Sequence, residues 1–476
     1  MIHRLVPHDI RPHTLCAVAA LVTASAAWVA QPVSAQEVEE QPSQQEPQVQ
    51  AQAQDPAAAP AAKEEPEESL ADAPDTDVDA QVNEEPASQP PSAEELATEE
   101  AARRVLNRDV EAYRAAIAEI EATGGAFSKG LSEQMLGLGL ALQRNGEHEQ
   151  AVNVFKRGVH LSRVTEGLYS SRQLALLQGE IASHIALGAY QTADERQKYL
   201  FRVQAQTLSD MSRGDAYMQH AMWQRQSYEA RLGEQPFARL LRMWSLYRLA
   251  LTEYAKAEGQ ESPKLLSPLY GMLKSQYLMS GYIGETSTGF YRTRGIYGEE
   301  ESQQIAYSGQ SYKQGGAVIR AIYDVKVAQA GSDWRDDAEY LLMMGDWNLW
   351  HGKRTDAYEL YAQLDRELAL IEAAQDYRQQ IFGTPTPLPD VGGVRGLPEH
   401  LGEREDRLLL EFGVTERGRV VDVQRLDTTA IDEEKVGDIV RRFRTTIFRP
   451  QITEGVAVNT QGLRWAYDSN QWFSDR

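Results

Sequence analysis

A spacing of small residues that occurs twice constrains this 476-residue chain more than any other feature. In MLGLGLALQRNGEHEQAVNVFKRG, 135–158, apolar residues recur with a helical period, and Gly139, Gly146 and Ala151 stand seven and then five positions apart. Leu138 and Leu142 lie one turn apart on a first helix, where small Gly139 lets a second helix approach closely. Gly146 supplies a permissive turn, and Ala151 with Phe155 packs the second helix back as a small and large pair. YLLMMGDWNLWHGKRTDAYELYAQL, 340–364, repeats the set with Leu341, Met344, Gly345, Gly352, Ala357 and Tyr361, while polar Asn348 takes the place of Leu142. One such pair cannot bury its own apolar face, so copies must stack.

These intervals resemble the tetratricopeptide (TPR) repeat, which implies a TPR-like α-helical repeat domain over 93–381. Between the two clear copies the period blurs: 180–200 keeps Gly188 and Ala193 but has no glycine where the first helix needs one. Met222, Trp223, Leu241, Trp244, Tyr247 and Tyr254 read as core between helices, with the lining of a binding groove as the second reading. The stretch 282–310, rich in Gly, Ser, Thr and Tyr, interrupts the helices and is either a partner contact or a solvent-facing insertion.

The N-terminus reads as an export signal. Arg4 and Arg11 precede the apolar run 15–30, and Val33-Ser34-Ala35 supplies small residues for cleavage, so 1–35 is expected to be removed. The alternative is an uncleaved anchor holding the chain at the inner membrane and facing the periplasm. The chain's one cysteine, Cys16, lies inside the run, so no disulfide or thiolate chemistry is expected in an exported, bacterial periplasmic protein. Residues 36–92 hold fifteen Asp and Glu against Lys63 and read as a disordered acidic Pro/Gln/Ala-rich tether, accounting for −14 of the formal −22. No basic background favours nucleic acid.

A Pro/Gly segment, 382–402, is punctuated too densely for helix or strand and marks a linker. Beyond it, 403–476 reads as a small α+β domain of order β-β-α-β. Leu408, Leu410, Phe412 and Val414 alternate onto one face of a strand, Gly418 turns the chain, and Val421 and Val423 continue the inward face. The stretch 428–448 is helical, with Thr429 and Asp432 as a capping box and Val436, Ile439, Val440 and Phe443 as its buried stripe. A last strand, or two split near Gly462, carries Leu463, Trp465 and Tyr467. This order, with Phe412-Gly413-Val414, Gly418, Phe448-Arg449-Pro450 and Gly455, resembles the C-terminal domain of the TonB energy transducers over about 405–468. The fold class is therefore mainly α, a TPR-like helical-repeat solenoid followed by a TonB-like C-terminal domain.

The resemblance implies an edge strand that adds a strand of another envelope protein or peptide. Its candidate residues are Val456, Val458, Thr460, Leu463, Trp465 and Tyr467, unless this is an ordinary edge packed on the helix. The sequence departs from the family in lacking a Tyr-Pro-Pro-type segment ahead of the first strand. Arg441, Arg442, Arg444 and Arg449 cluster at the end of the helix, as a solvated face or as a site for an anionic partner.

No catalytic, cofactor-binding or metal motif organises the chain. His148, His160, His184, His220, His351 and His400 are scattered one per helix or loop, and Glu253, Asp324 and Glu339 are the possible acids of a glycan-cleaving site, each more simply a surface residue. The leading expectation is a non-enzymatic envelope adaptor with no cofactor, whose membrane contact is indirect unless the N-terminal segment is retained. A TonB-related transducer and a carbohydrate- or peptidoglycan-active helical enzyme are the alternatives.

Overall fold

A computed structural model describes residues 93–233, 235–282, 299–391, 394–404, 406–429, 431 and 433–469. The export signal, the acidic tether, Asp432 and residues 283–298 of the interrupting stretch lie outside the described residues. From Val105 onward the described chain belongs to one compact unit.

The helices are α1 (Ala93–Gly124), α2 (Leu131–Arg144), α3 (His148–Glu166), α4 (Arg172–Ala186), α5 (Tyr190–Thr207), α6 (Asp210–Glu229) and α7 (Pro236–Glu258). They continue with α8 (Leu266–Gly281), α9 (Glu299–Val327), α10 (Trp334–Trp350), α11 (Arg354–Ala369) and α12 (Gln375–Phe382). From α2 onward each packs on the next, so α2/α3, α4/α5, α6/α7, α8/α9 and α10/α11 form five stacked pairs among the described residues. Part of the interrupting stretch is helical, since α9 begins at Glu299.

The glycine and aromatic spacing explains why these helices pair. A Cβ on Gly139 would stand 2.3 Å from the Phe155 ring, and one on Gly345 would stand 2.4 Å from Tyr361. Leu138, Leu142, Ala151, Phe155, Ala357 and Tyr361 are buried, and Met344 is half-buried. Gly146 and Gly352 turn each pair at φ 77° and 74°, a conformation glycine adopts without steric penalty. The blurred second pair follows the first at a fixed offset: Gly137 to Gly179, Gly146 to Gly188 and Ala151 to Ala193 are each 42 positions apart. Tyr113 packs on Gly137 just as Phe155 packs on Gly179, so the aromatic of one pair meets the glycine of the next. Ile181 occupies the place of Gly139, and Gln197 stands where Phe155 would be, a compensating exchange of large and small.

The aromatic residues expected as core between helices are core, with Trp223, Trp244, Tyr247 and Tyr254 buried and Leu241 partly so. Met222 departs from this and is exposed. Asp194 ties three helices at the junction of α5, α6 and α7. It accepts from Trp223 Nε1 at 2.8 Å and from Arg239 at 2.9 and 3.1 Å.

After α12 the segment read as too densely punctuated for strand carries three two-residue strands, β1 (Thr386–Pro387), β2 (Asp390–Val391) and β3 (Val394–Arg395). Pairing from outside makes this possible: β1 bonds β6 (Phe448–Arg449), which comes from beyond the module's own helix, while β2 pairs with β3. Then follow β4 (Leu408–Val414), β5 (Val420–Arg425) and helix α13 (Glu433–Thr445), and after β6 come β7 (Gln451–Thr453), β8 (Val456–Val458) and β9 (Thr460–Tyr467). The main sheet is antiparallel in the order β5-β4-β9, and β7 and β8 form a separate hairpin. Leu408, Leu410, Phe412 and Val414 are buried beneath Val436, Ile439 and Phe443 of α13. On β5 the inward pair is Val420 and Val423 rather than Val421 and Val423. The cause is a bulge: Glu411 faces Gln424 but Gly413 faces Val421, and the extra residue, Asp422, takes φ 53°.

Candidate interaction surface

The terminal module is built onto the helical body at three points. Arg449, 2% exposed, reaches from β6 into α10, where its guanidinium bonds Asp346 at 2.6 Å. Its Nε donates to the carbonyl of Ile381 at 3.1 Å, and Asp390 Oδ2 lies 3.9 Å away. Asp346 also accepts from the Tyr361 hydroxyl at 2.7 Å. Burial pushes the Asp346 carboxyl up, against the opposing pull of Arg449 and Tyr361. At the second point the turn of the β7–β8 hairpin docks on α11, with the amide of Gly455 donating to Asp365 at 2.8 Å. Asp365 is held in turn by Arg378 at 2.6 and 3.1 Å. At the third, the hydroxyl of Tyr358 donates to the carbonyl of Glu416 in the β4–β5 turn at 2.8 Å. Leu388, Val391 and Ile452 enter the same apolar cluster as α7–α12, so the seat is both ionic and apolar.

This placement divides the four arginines named from the sequence. Arg449 is internal and bridges body and module. Arg441 is exposed and pairs with Asp438 at 3.0 Å, Arg444 is exposed, and the charge of exposed Arg442 reaches Tyr228 on α6.

The strand candidates also divide. Trp465 (8% exposed) and Tyr467 (buried) belong to the module core with Phe412, Phe443 and Phe448, and Leu463 packs against it. Val456 is 62% exposed, Val458 and Thr460 are half-buried, and β8 is already paired with β7. β5 and β9 are the two outer strands of the main sheet, and β9 is the one that carries candidate residues. Its outer edge is partly taken by its own chain: Leu401 N donates to Ala466 O at 2.8 Å, and Ala466 N donates to Gly402 O at 2.7 Å. His400 stacks on Trp465 at 4.4 Å with ring planes 7° apart, fixing this short cover. Since outward groups recur every second residue in an antiparallel strand, Arg464 presents the next outward N–H and C=O. Its side chain is tied to Glu411 at 2.7 Å.

Sequence reasoning missed Asp346, Asp365 and His400. Asp346 follows the repeat glycine Gly345 directly, and an acid in a buried helix stripe is the signal that would have found it. Two of the three acids read as surface residues are engaged by neighbours. Glu253 pairs with Lys256 at 3.2 Å, and Glu339 takes the Tyr270 hydroxyl and Lys326. Asp324 is not at the surface: it is 3% exposed, because α9 turns that face into the cluster holding Tyr323 and Tyr340. Among the described residues no group of three acidic, histidine or cysteine side chains is arranged to hold a metal, and no helix is long and apolar enough to cross a membrane.

No protein-family model and no curated protein matches the chain. Among solved structures it is similar to BtubC (BKLC) from P. vanneervenii, with 12% identity and a TM-score of 0.32 over 57% of this chain and 91% of that one. It is also similar to a putative kinesin light chain of nearly identical TPR-like repeats from Podosopora anserina, with 16% identity and a TM-score of 0.31 over 50% and 96%. A single-site variant of that protein gives 16% identity and a TM-score of 0.32 over 52% and 99%. Consecutive packing of helix pairs makes the body a mainly-α helical repeat, and a small β-containing C-terminal region follows it.

Proposed function

We propose that this protein is a non-enzymatic adaptor of the bacterial envelope that captures a strand of a partner protein on the outer edge of β9. The observation that carries this reading is the position of β9 as the last strand of β5-β4-β9, with its own chain covering the edge at Ala466. Arg464 offers main-chain groups beside that cover, and main-chain bonding of a partner strand would extend the sheet without any change in β4. The likeness of the module to the TonB C-terminal domain supports the same reading, as does a TPR-like body, a fold used widely as a binding surface. Export to the periplasm rests on Arg4, Arg11 and the apolar run that follows, and a mature N-terminus at Gln36, read by mass spectrometry, is the expected result.

The test is Arg464→Pro. Proline removes the outward N–H but is tolerated on an edge strand. Partner recovered from envelope extract on the full chain should fall by about tenfold, the loss expected for one or two main-chain bonds of ~1 kcal/mol each. Arg464→Ala, which removes only the Glu411 ion pair, should retain the partner. Equal recovery with the proline variant and an unchanged melting temperature would rule out strand capture at this edge.

A further inference from the structure

Three guanidinium groups gather round one aromatic ring on the second helices of the first two pairs. Arg163 on α3 and Arg196 and Arg202 on α5 lie 5.8, 5.4 and 5.6 Å from the centroid of Tyr199. The ring is held in place: its hydroxyl donates to Gln173 Oε1 at 2.8 Å. Gln173 is fully buried and donates to the carbonyls of Gly167 and Leu168 at 3.3 and 3.0 Å. Arg196 is also held, by a 2.6 Å bond to the fully buried carboxylate of Glu180. Arg163 and Arg202 are exposed and have no carboxylate partner among the described residues. The neighbouring Glu166 is already engaged by Arg172 at 3.1 Å and by Ser170 at 2.6 Å.

This arrangement is a local inversion of charge, because residues 93–476 carry an excess of acids. With Glu180 paired to Arg196 and exposed Glu195 one turn before Tyr199, the cluster keeps an excess of one cation. Like charges so close repel one another. Attraction to the ring face offsets part of that repulsion, and an anion bridging the outer guanidiniums would remove more. Beside Arg163 the surface turns apolar. Val164, Leu168 and Tyr169 are large and exposed, and Val164 and Leu168 line a shallow pocket with His160 and Arg163. A small inorganic anion would meet the cations but leave the apolar strip uncovered.

We infer that the Tyr199 cluster is a docking site for a linear acidic segment of a partner protein that alternates carboxylates with apolar side chains. Carboxylates bind Arg163 and Arg202, and the intervening apolar residue covers Val164 and Leu168. Ring and backbone are fixed by Gln173 before the partner arrives, so little ordering is needed on this side. The site lies apart from β9 and does not depend on strand capture.

The probe is a short fluorescein-labelled peptide of alternating Glu and Leu, with a Lys and Leu peptide as control, titrated into the full mature chain by anisotropy. Saturable binding to the acidic peptide alone is expected, weakening as salt is raised. Arg163→Glu with Arg202→Glu should weaken it about tenfold or more. Arg163→Gln with Arg202→Gln serves if the double reversal alters the circular dichroism spectrum, and Arg464→Pro should leave binding intact. The inference is overturned by equal affinity in the arginine variants, by absence of saturable binding to wild type, or by retention on phosphatidylglycerol vesicles without binding to the peptide.

Discussion

Burial inside the helical body sets the chemistry of single side chains, and Asp324 illustrates it. Its Oδ2 has no hydrogen-bond partner among the described residues, and burial pushes the carboxyl up to about 6 against the pull of Arg320. The folded chain therefore holds a proton that the unfolded chain has released between the ordinary value of 3.8 and about 6. Stability falls as pH rises through that window, and the loss persists above it. Asp324→Asn should raise stability at neutral pH by ~1–2 kcal/mol and change nothing below the window, as read from urea midpoints at both pH values. The sequence shows Asp324 on an amphipathic helix, but which side of α9 meets α10 depends on residues elsewhere in the chain. The same limit applies to Arg449, which reads as one cation of a helix-end cluster while its partner Asp346 lies 103 positions earlier.

At the scale of elements, the small and large pairs were legible because a side chain at the glycine would overlap the facing aromatic ring. Gly139→Val should cost about 1–3 kcal/mol or more, since even a Cβ there stands 2.3 Å from the Phe155 ring, and thermal unfolding of the full chain would show it. The second pair was harder to see. Ile181 fills the glycine position and the aromatic across from it is absent, so packing is kept by a paired exchange that one helix alone does not reveal. In the module, β4 and α13 follow their apolar periods, whereas β5 does not. Its bulge at Asp422 exchanges Val421 for Val420, and a lone Asp in a valine-rich strand is too weak a signal to shift the register.

Across the whole molecule, the buried pair of Arg449 and Asp346 joins the module to the repeat. Arg449→Met should cost ~3–5 kcal/mol by leaving Asp346 buried without its cation, and adding Asp346→Leu should recover most of that loss. Calorimetry should show α7–α12 and the module unfolding in one transition, because Leu388, Val391 and Ile452 lie in the cluster that holds those helices together. A module melting apart from the repeat in wild type would contradict this seat.

The sequence by itself determined the two clear helix pairs and the alternation of β4, because both follow from periods only a few residues long. It also marked Phe448-Arg449-Pro450 as special. Tertiary structure alone decided which cations face inward, that Thr386–Pro387, Asp390–Val391 and Val394–Arg395 form strands, and that three arginines share one ring. Those outcomes depend on pairings between distant segments, where burial, not local spacing, selects the partner.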